Sequence, residues 1–221
     1  MSLETNKTER FEEQGDHHEF SQLLYPIRED AFEKSDEEKM TEIAFHFQKI
    51  METLGLDLTS DSLEGTPYRF AKMYVKELFA GLNPINKPSV SIFSNSYNYS
   101  RLLIERNISF TSFCEHHFLP MIGKVHVAYQ STGKIIGLSK INRIVRYYAS
   151  RPQVQERLTE QIAEELKEVL STKDVIIYVE ARHLCVSLRG VKDPTSDTIT
   201  TSYSGIFNSV KEREEFFKLV K

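Results

Sequence analysis

The stretch Ser112-Phe113-Cys114-Glu115-His116-His117-Phe118-Leu119-Pro120 lies between two segments that have the alternating pattern of β-strands. Residues 108–113, which run into the stretch, and residues 125–129, which follow it, both alternate from one position to the next. The stretch is therefore predicted to connect two strands. A rigid scaffold commonly holds reactive side chains in such a connection.

Cysteine and histidine in this connection indicate a metal site. A Cys-x-x-His spacing lets both ends of one turn reach a single ion, and a thiolate with an imidazole suits zinc. The only other cysteine is Cys185, two positions after His183. If residues 183–185 are part of a strand, the period of two points both side chains to the same side. Two cysteines and one histidine give three ligands, the number that a catalytic zinc keeps when water takes the fourth position.

Other interpretations of these residues stay open at this point. His183 or His116 could supply a fourth ligand, and the metal would then be structural. Both cysteines could also be ordinary buried thiols. Spacing alone does not decide whether His116 or His117 is the ligand next to Cys114.

Composition limits the class of protein. The chain has 221 residues, of which 40% are hydrophobic and 27% are charged, so it can bury a core as one domain with an appendage. Two cysteines do not form a disulfide framework, no apolar run reaches membrane-spanning length, and the start has no export signal, so we expect a cytoplasmic protein without membrane contact. A formal net charge of -4 argues against a nucleic-acid surface.

Hydrophobic periodicity, together with the residues that typically start and end helices, predicts the order of the secondary-structure elements and a division of the chain into three regions. Residues 1–34 are predicted to be a mobile polar arm that includes two solvated histidines, His17 and His18. Residues 35–88 are predicted to be a helical region, and residues 89–221 a catalytic domain. The helices are predicted from Ser35 to Gly55 with a capping box at the start, from an N-cap at Thr66 to Gly81, from Ser139 to Ser150, from Pro152 to Leu170 and from Glu212 to Leu219. Two further strands are predicted from Val175 to Leu188 and from Thr198 to Tyr203.

Several motifs, in this order along the chain, resemble GTP cyclohydrolase I. The resemblance runs from about Asp57 to Phe207, and several motifs in order are far more specific than one Cys-x-x-His. The motifs are Thr66-Pro67-Tyr68-Arg69, Cys114-Glu115-His116-His117-Phe118, Gly137-Leu138-Ser139-Lys140-Ile141-Asn142-Arg143, Arg151-Pro152-Gln153-Val154-Gln155-Glu156-Arg157-Leu158-Thr159, His183-Leu184-Cys185 and Thr198-Ile199-Thr200-Thr201-Ser202.

The resemblance implies a fold and an activity. The fold is α+β, the tunnelling fold, in which two helices are inserted between the second and third strands of an antiparallel four-stranded sheet, here after a helical N-terminal region. The activity is the zinc-dependent conversion of GTP and water to formate and 7,8-dihydroneopterin triphosphate, the first step of pterin and tetrahydrofolate biosynthesis. The family assembles as a homodecamer of two pentamers with its sites at subunit interfaces.

The resemblance also assigns roles to individual residues. Glu115 is expected to lie at the substrate site, paired with Arg189. Ser187 and Leu188 depart from the family, in which a basic or methionine residue often follows the second cysteine, so the departure bears on triphosphate affinity. The implied zinc ligands are Cys114, His117 and Cys185; the acid/base residues are His116 and His183; guanine recognition falls to Gln155 and Glu156; and the triphosphate is held by Arg69, Lys72, Ser139, Lys140, Arg143 and Arg189.

Two alternative functions remain. Another purine-directed zinc hydrolase or deaminase would use a similar Cys/His zinc with a carboxylate. A non-catalytic nucleotide-binding zinc protein of the same fold would have four protein ligands and would bind GTP without turnover.

Overall fold

A computed structural model describes residues 25–131 and 133–221, and a mixed sheet lies at its centre. The order in this sheet is β5-β2-β3-β6-β7; the four long strands are antiparallel, and the two-residue strand β5 runs parallel to β2 at the edge. Strands β1 and β4 form a separate two-stranded sheet. The strands are β1 (Ile92–Ser94), β2 (Leu102–Cys114), β3 (Pro120–Gln130), β4 (Lys134–Ile136), β5 (Pro152–Gln153), β6 (Val175–His183) and β7 (Thr198–Tyr203).

Six α-helices accompany this sheet in the described part of the chain. Two of them, α3 and α4, lie between β3 and β6, so the predicted α+β order is confirmed: two strands, two helices and two strands after a helical N-terminal region. The helices are α1 (Asp36–Thr53), α2 (Thr66–Met73, extended by a π-helical turn Tyr74–Leu78), α3 (Leu138–Ala149), α4 (Gln155–Leu170), the short α5 (Leu184–Ser187) and α6 (Val210–Val220).

The two faces of the sheet are covered differently. Alternate residues of β2, β3 and β6 pack against the apolar stripes of α3 and α4 in one large core that includes Val127, Ile162 and Ile177. The opposite face of β3 and β6 packs against α6 in a smaller cluster that includes Tyr178 and Phe216. The sheet is thus buried on both faces at its centre, which makes its strand ends rigid supports for a site.

Helix α1 begins as predicted. The Ser35 hydroxyl accepts a hydrogen bond from the Glu38 amide, and the Glu38 carboxylate accepts one from the Ser35 amide, which completes the capping box. Met40 and Met51 of the predicted apolar stripe are buried, whereas Ile50 is 53% exposed and Leu54 is 72% exposed. One chain therefore covers only part of the apolar face of α1.

Replacement of Ser35 by alanine tests this cap. The change leaves the Glu38 amide without its side-chain acceptor, so we expect a loss of about 1 kcal/mol of stability. Thermal melting checks it, with Thr41→Ala as a control further along the same helix, where the hydroxyl donates to the Glu37 carbonyl within the helix. An unchanged melting temperature for Ser35→Ala would contradict a stabilising cap.

Three predicted boundaries are wrong. Helix α2 is capped by Gly65, so Thr66 is its first residue instead of its N-cap. Pro152 belongs to strand β5, and α4 begins three residues later at Gln155. Strand β6 ends at His183, and the next four residues turn into helix α5, because the Leu188 amide bonds the Leu184 carbonyl. The short strands β1, β4 and β5 were not predicted from the sequence.

The helical N-terminal region is attached to the domain at Gly81. The Gly81 amide donates to the Ser150 carbonyl at 2.9 Å, and the Gly81 carbonyl accepts from Arg151 Nε at 2.8 Å. A side chain at position 81 would overlap the carbonyl oxygens of Tyr147 and Ser150, so only glycine permits this approach.

A row of aromatic rings extends this attachment to the connection between β2 and β3. Phe47 of α1 stacks on Phe70 of α2, with ring centroids 3.6 Å apart, and Phe70 stacks on Tyr74. Tyr74 makes an edge contact with Phe79, which in turn contacts both Phe113 and Phe118. This aromatic row thus joins the first helix to the two phenylalanines that flank the Cys-x-x-His motif.

Only the last ten residues of the predicted arm are among the described residues. Residues 1–24, including His17 and His18, lie outside the described residues. Tyr25 is half-buried, with its ring 5.5 Å from the guanidinium of Arg157, and burial raises the pKa of its phenol to about 12. The division into arm, helical region and catalytic domain stays a prediction. Across the two described ranges, every helix is too short or too polar to cross a bilayer.

Candidate metal centre and active site

The connection between β2 and β3 is a tight turn fixed by its own backbone. The Cys114 amide donates to the Leu119 carbonyl at 2.9 Å, and the Phe118 amide donates to the Cys114 carbonyl at 2.8 Å. Phe118 closes the turn with a φ of 53°, in the left-handed region that side chains seldom adopt. The turn holds Cys114, which is buried, and leaves His116 and His117 exposed.

Strand β5 attaches this turn to the start of α4. Cys114 pairs with Gln153 in the parallel ladder, and the Glu115 amide donates to the Gln153 carbonyl at 3.0 Å. The Gln153 side chain is fully buried and donates to the Tyr148 carbonyl and to Gln161 Oε1. The two-residue strand β5 therefore holds the turn at residues 114–119, named the metal turn below, next to the first turn of α4.

The second cysteine reaches the site from β6. His183 ends that strand opposite Met121, the second residue of β3, and α5 then carries Cys185. The prediction that His183 and Cys185 share one side of a strand is wrong, because the strand stops between them. The helical turn nevertheless brings Cys185 to Cys114.

Cys114, His117 and Cys185 form a group that could hold a metal ion. Their ligand atoms all lie within 4.8 Å of one another. Burial and the neighbouring Cys114 thiol raise the pKa of the Cys185 thiol, so two thiolates at this distance need a cation between them. The structure thus unites the three side chains that the sequence singled out, and the histidine in the group is His117 and not His116. His116 lies beside it, with Nδ1 at 3.6 Å from Cys114 Sγ.

His183 is held by Gln155. The ring Nε2 of His183 lies 2.8 Å from Gln155 Oε1, and burial lowers the pKa of the imidazole. The Gln155 side chain is 1% exposed, and its amide nitrogen donates to Val179, Thr198 and Thr200. This arrangement differs from the guanine contact expected for Gln155, because contacts within the chain already use its amide. Glu156, the next residue, is exposed in the first turn of α4.

Glu115 is paired with a residue that the sequence did not indicate. Arg157 donates to it through both terminal guanidinium nitrogens, at 2.6 Å and 3.2 Å, and both side chains are mostly buried. The predicted pairing of Glu115 with Arg189 is therefore wrong. Arg189 instead donates to His117 Nε2 at 2.8 Å, which places its guanidinium beside the metal group.

The other candidate phosphate ligands are carried by two helices. Arg69 and Lys72 are exposed on α2, where the Arg69 guanidinium donates to the Thr66 hydroxyl and to the Ser62 carbonyl. The remaining three, which are fully or partly exposed in the first turns of α3, are Ser139, Lys140 and Arg143. Ser187 and Leu188 close α5, and the Ser187 hydroxyl lies 3.5 Å from the His183 carbonyl.

Sequence reasoning missed four residues that support the site: Gln153, Arg157, Thr159 and Thr200. All four lie inside motifs quoted for the resemblance, but nothing in their spacing indicates their partners. Arg157 is 42 positions from Glu115, and Thr200 is 45 positions from Gln155. Their roles depend on the strand register, which a periodic pattern does not provide.

A family profile and individual relatives each match most of this chain. The profile of the family GTP cyclohydrolase I matches residues 43–221. GTP cyclohydrolase 1 of Flavobacterium johnsoniae is 52% identical over 216 residues, which cover 98% of this chain and 97% of that protein. The Aeromonas salmonicida protein of the same name is 53% identical over 181 residues, covering 81% and 83%. A crystal structure of the archaeosine synthase QueF-Like in the apo form has a TM-score of 0.40 and 16% identity, covering 48% of this chain and 95% of that one.

Proposed function

The chain belongs to the GTP cyclohydrolase I family, and we propose that it converts GTP and water to formate and 7,8-dihydroneopterin triphosphate, the first step of pterin and tetrahydrofolate biosynthesis. The observation that supports this most is the convergence of Cys114, His117 and Cys185 from two strand ends, with His183 as the last residue of the strand that precedes Cys185. Within residues 25–131 and 133–221 this group offers three ligands and not four, which fits a hydrolase better than a structural site.

Zinc is the metal that this donor set favours, since two thiolates and an imidazole suit its softness. When bound, the ion supplies a Lewis acid that activates water toward carbon 8 of guanine. Arg189 lies against His117 and brings a positive charge to the same place, where the triphosphate of the substrate is expected.

His183 and His116 are the residues proposed to move protons. Imidazole suits the repeated transfers needed to open the guanine five-membered ring, rearrange the ribose and close the pterin ring. Burial lowers the pKa of the His183 imidazole, which favours the neutral form that a proton acceptor needs. His116 is exposed beside Cys114, where it can exchange protons with solvent.

Glu156 is the proposed recognition group for guanine. Its carboxylate is exposed at the N-terminus of α4, next to the buried Gln155, and it can accept two hydrogen bonds from the base. The triphosphate would be held by the cations of α2 and α3 together with Arg189. The cations of α2 and α3 are fully or partly exposed in a single chain. Their exposure supports a substrate site that a neighbouring subunit completes.

Assembly as a homodecamer of two pentamers is part of the proposal. The uncovered apolar residues of α1, Phe45, Ile50 and Leu54, are between 53% and 72% exposed, and a partner subunit would bury them. We also place the protein in the cytoplasm, because its two cysteines are needed as free thiols for the metal and a reducing compartment keeps them so.

One assay tests the function directly. The purified zinc-loaded protein is incubated with GTP; formate is measured together with the fluorescence of the oxidised neopterin product. We expect equal amounts of both. Release of ammonia without formate would favour a deaminase, and tight GTP binding without turnover would favour the non-catalytic alternative.

Replacement of Glu156 by glutamine tests guanine recognition. The amide keeps the shape but loses the charge and one acceptor, so KM for GTP should rise about 10- to 100-fold, as expected for hydrogen bonds to a charged group. Metal content should not change. Glu164→Gln is a matched control on the same helix, because its exposed carboxylate pairs with Lys167 on the surface of that helix. An unchanged KM for Glu156→Gln would remove this residue from the binding site.

A further inference from the structure

We infer that Gln155 is a positioning residue that fixes the proton-transfer histidine His183 in the tautomer protonated on Nε2, which leaves Nδ1 as the atom that accepts a proton from the substrate. The inference rests on the proposed function and deepens it. It replaces a role in guanine binding for the Gln155 side chain by a role that acts through His183.

The orientation of the Gln155 amide is determined by its neighbours. Its nitrogen lies 3.0 Å from the Thr198 carbonyl and 3.3 Å from the Val179 carbonyl. Backbone carbonyl oxygens only accept hydrogen bonds, so the amide NH2 group must face them. The amide oxygen Oε1 therefore faces His183.

Two threonines give the same orientation independently. The Thr159 hydroxyl donates to the Gln155 backbone carbonyl at 2.8 Å, which uses its single hydrogen. The Thr200 hydroxyl, 2.6 Å from Thr159 Oγ1, must then donate to Thr159. Thr200 Oγ1 keeps its lone pairs for Gln155 Nε2, which lies 3.1 Å away. These three hydrogen bonds form a hydrogen-bond chain in which each donor is determined. The backbone carbonyl of Gln155 at the end of this hydrogen-bond chain can only accept, and it thereby fixes the direction of the bonds before it.

The tautomer of His183 follows from this direction. Gln155 Oε1 can only accept, so the His183 Nε2 atom 2.8 Å away carries the hydrogen. A neutral imidazole has one ring hydrogen, and Nδ1 therefore holds the lone pair. Because the Gln155 side chain is buried and both ends of its amide are occupied, it has no free group for a base.

Replacement of Gln155 by methionine separates the two roles. Methionine has a similar length but cannot fix the ring, so kcat should fall on the order of 10²-fold, the lower end of what a general acid or base contributes. KM for GTP should stay within about threefold, and the preference for GTP over inosine triphosphate should be kept, because guanine recognition is assigned to Glu156. A raised KM with lost preference and an unchanged kcat would overturn the inference.

A second pair of variants covers the case in which Gln155→Met does not fold. Thr200→Val removes one acceptor of the amide, whereas Thr200→Ser keeps it. We expect kcat to fall several-fold in the valine variant and to return in the serine variant, at constant KM, in line with the loss of one neutral hydrogen bond. Equal kcat values in both variants and the wild type would contradict the hydrogen-bond chain.

A direct measurement on the wild-type holoenzyme completes the test. Nitrogen-15 spectra of histidine-labelled protein report which ring nitrogen carries hydrogen, and the His183 signal is identified by its absence from His183→Ala. A hydrogen on Nε2 is expected, and a hydrogen on Nδ1 would overturn the inference. If the proposed function itself were wrong, the wild-type protein would release no formate from GTP. That result is different from a wild type that releases formate but carries the His183 hydrogen on Nδ1.

Discussion

Cys185→Ala is expected to lose its metal and, with it, the turnover of GTP. The change removes one of three ligand side chains, and the remaining thiolate and imidazole leave a much weaker two-ligand site. Loss of an outer partner of a metal ligand alone costs about 10- to 100-fold in affinity, so loss of the ligand itself should exceed about 100-fold. Metal analysis of the purified protein and formate release measure the two effects together.

The matched control is Val186→Ala, the next residue of the same short helix. Its side chain is 37% exposed and offers no ligand atom, so the variant should bind metal in full. If Cys185→Ala held one metal ion per chain and turned over GTP normally, the ligand group Cys114, His117 and Cys185 would be wrong.

His183→Ala is expected to keep both the metal and the fold while it loses the ring-closed product. His183 is not one of the three grouped ligand side chains; its imidazole contacts Gln155, and its proposed role is proton transfer, which contributes about 10²- to 10⁴-fold to a rate. Formation of dihydroneopterin triphosphate should fall by that factor, as measured by fluorescence after oxidation. Gln155 remains anchored by Val179, Thr198 and Thr200 in the variant, so the local structure should persist.

The control for this variant is His46→Ala on helix α1. His46 is exposed and its ring contacts Phe45 of the same helix, so product formation should remain within about twofold, as for most surface substitutions. Loss of metal from His183→Ala would mean that this histidine is a ligand, and the assignment of His183 to proton transfer would fail.

The sequence predicted those parts of the fold and site that depend on local patterns. Strand alternation and helical periodicity gave the order of two strands, two helices and two strands, and the capping box at Ser35 marked the start of α1. The residue chemistry indicated Cys114, Cys185 and one of the two neighbouring histidines as ligands, and the resemblance to the family selected His117. In each case the information lies within one turn or in residue chemistry alone.

The parts that failed depend on contacts between distant segments. Strand β6 stops at His183 because the following residues bond as a helical turn against the start of β3, which no alternation reveals. Arg157 reaches Glu115 only because β5 places α4 next to the metal turn, and β5 itself is too short to predict. The burial of Gln155 likewise depends on a contact between distant segments. Its side chain reaches Thr200 of β7, and the register of β7 against β6 determines where Thr200 lies.

The aromatic row has a consequence for how this enzyme can change over evolutionary time. Phe47 and Phe70 are far along the chain from the metal ligands, yet each ring in the row determines where the next one packs, and the last two flank the metal turn. Interiors are packed densely, so a larger or smaller ring in either helix shifts its neighbours. The first helices and the metal turn are therefore expected to drift together, with a substitution in one compensated in the other.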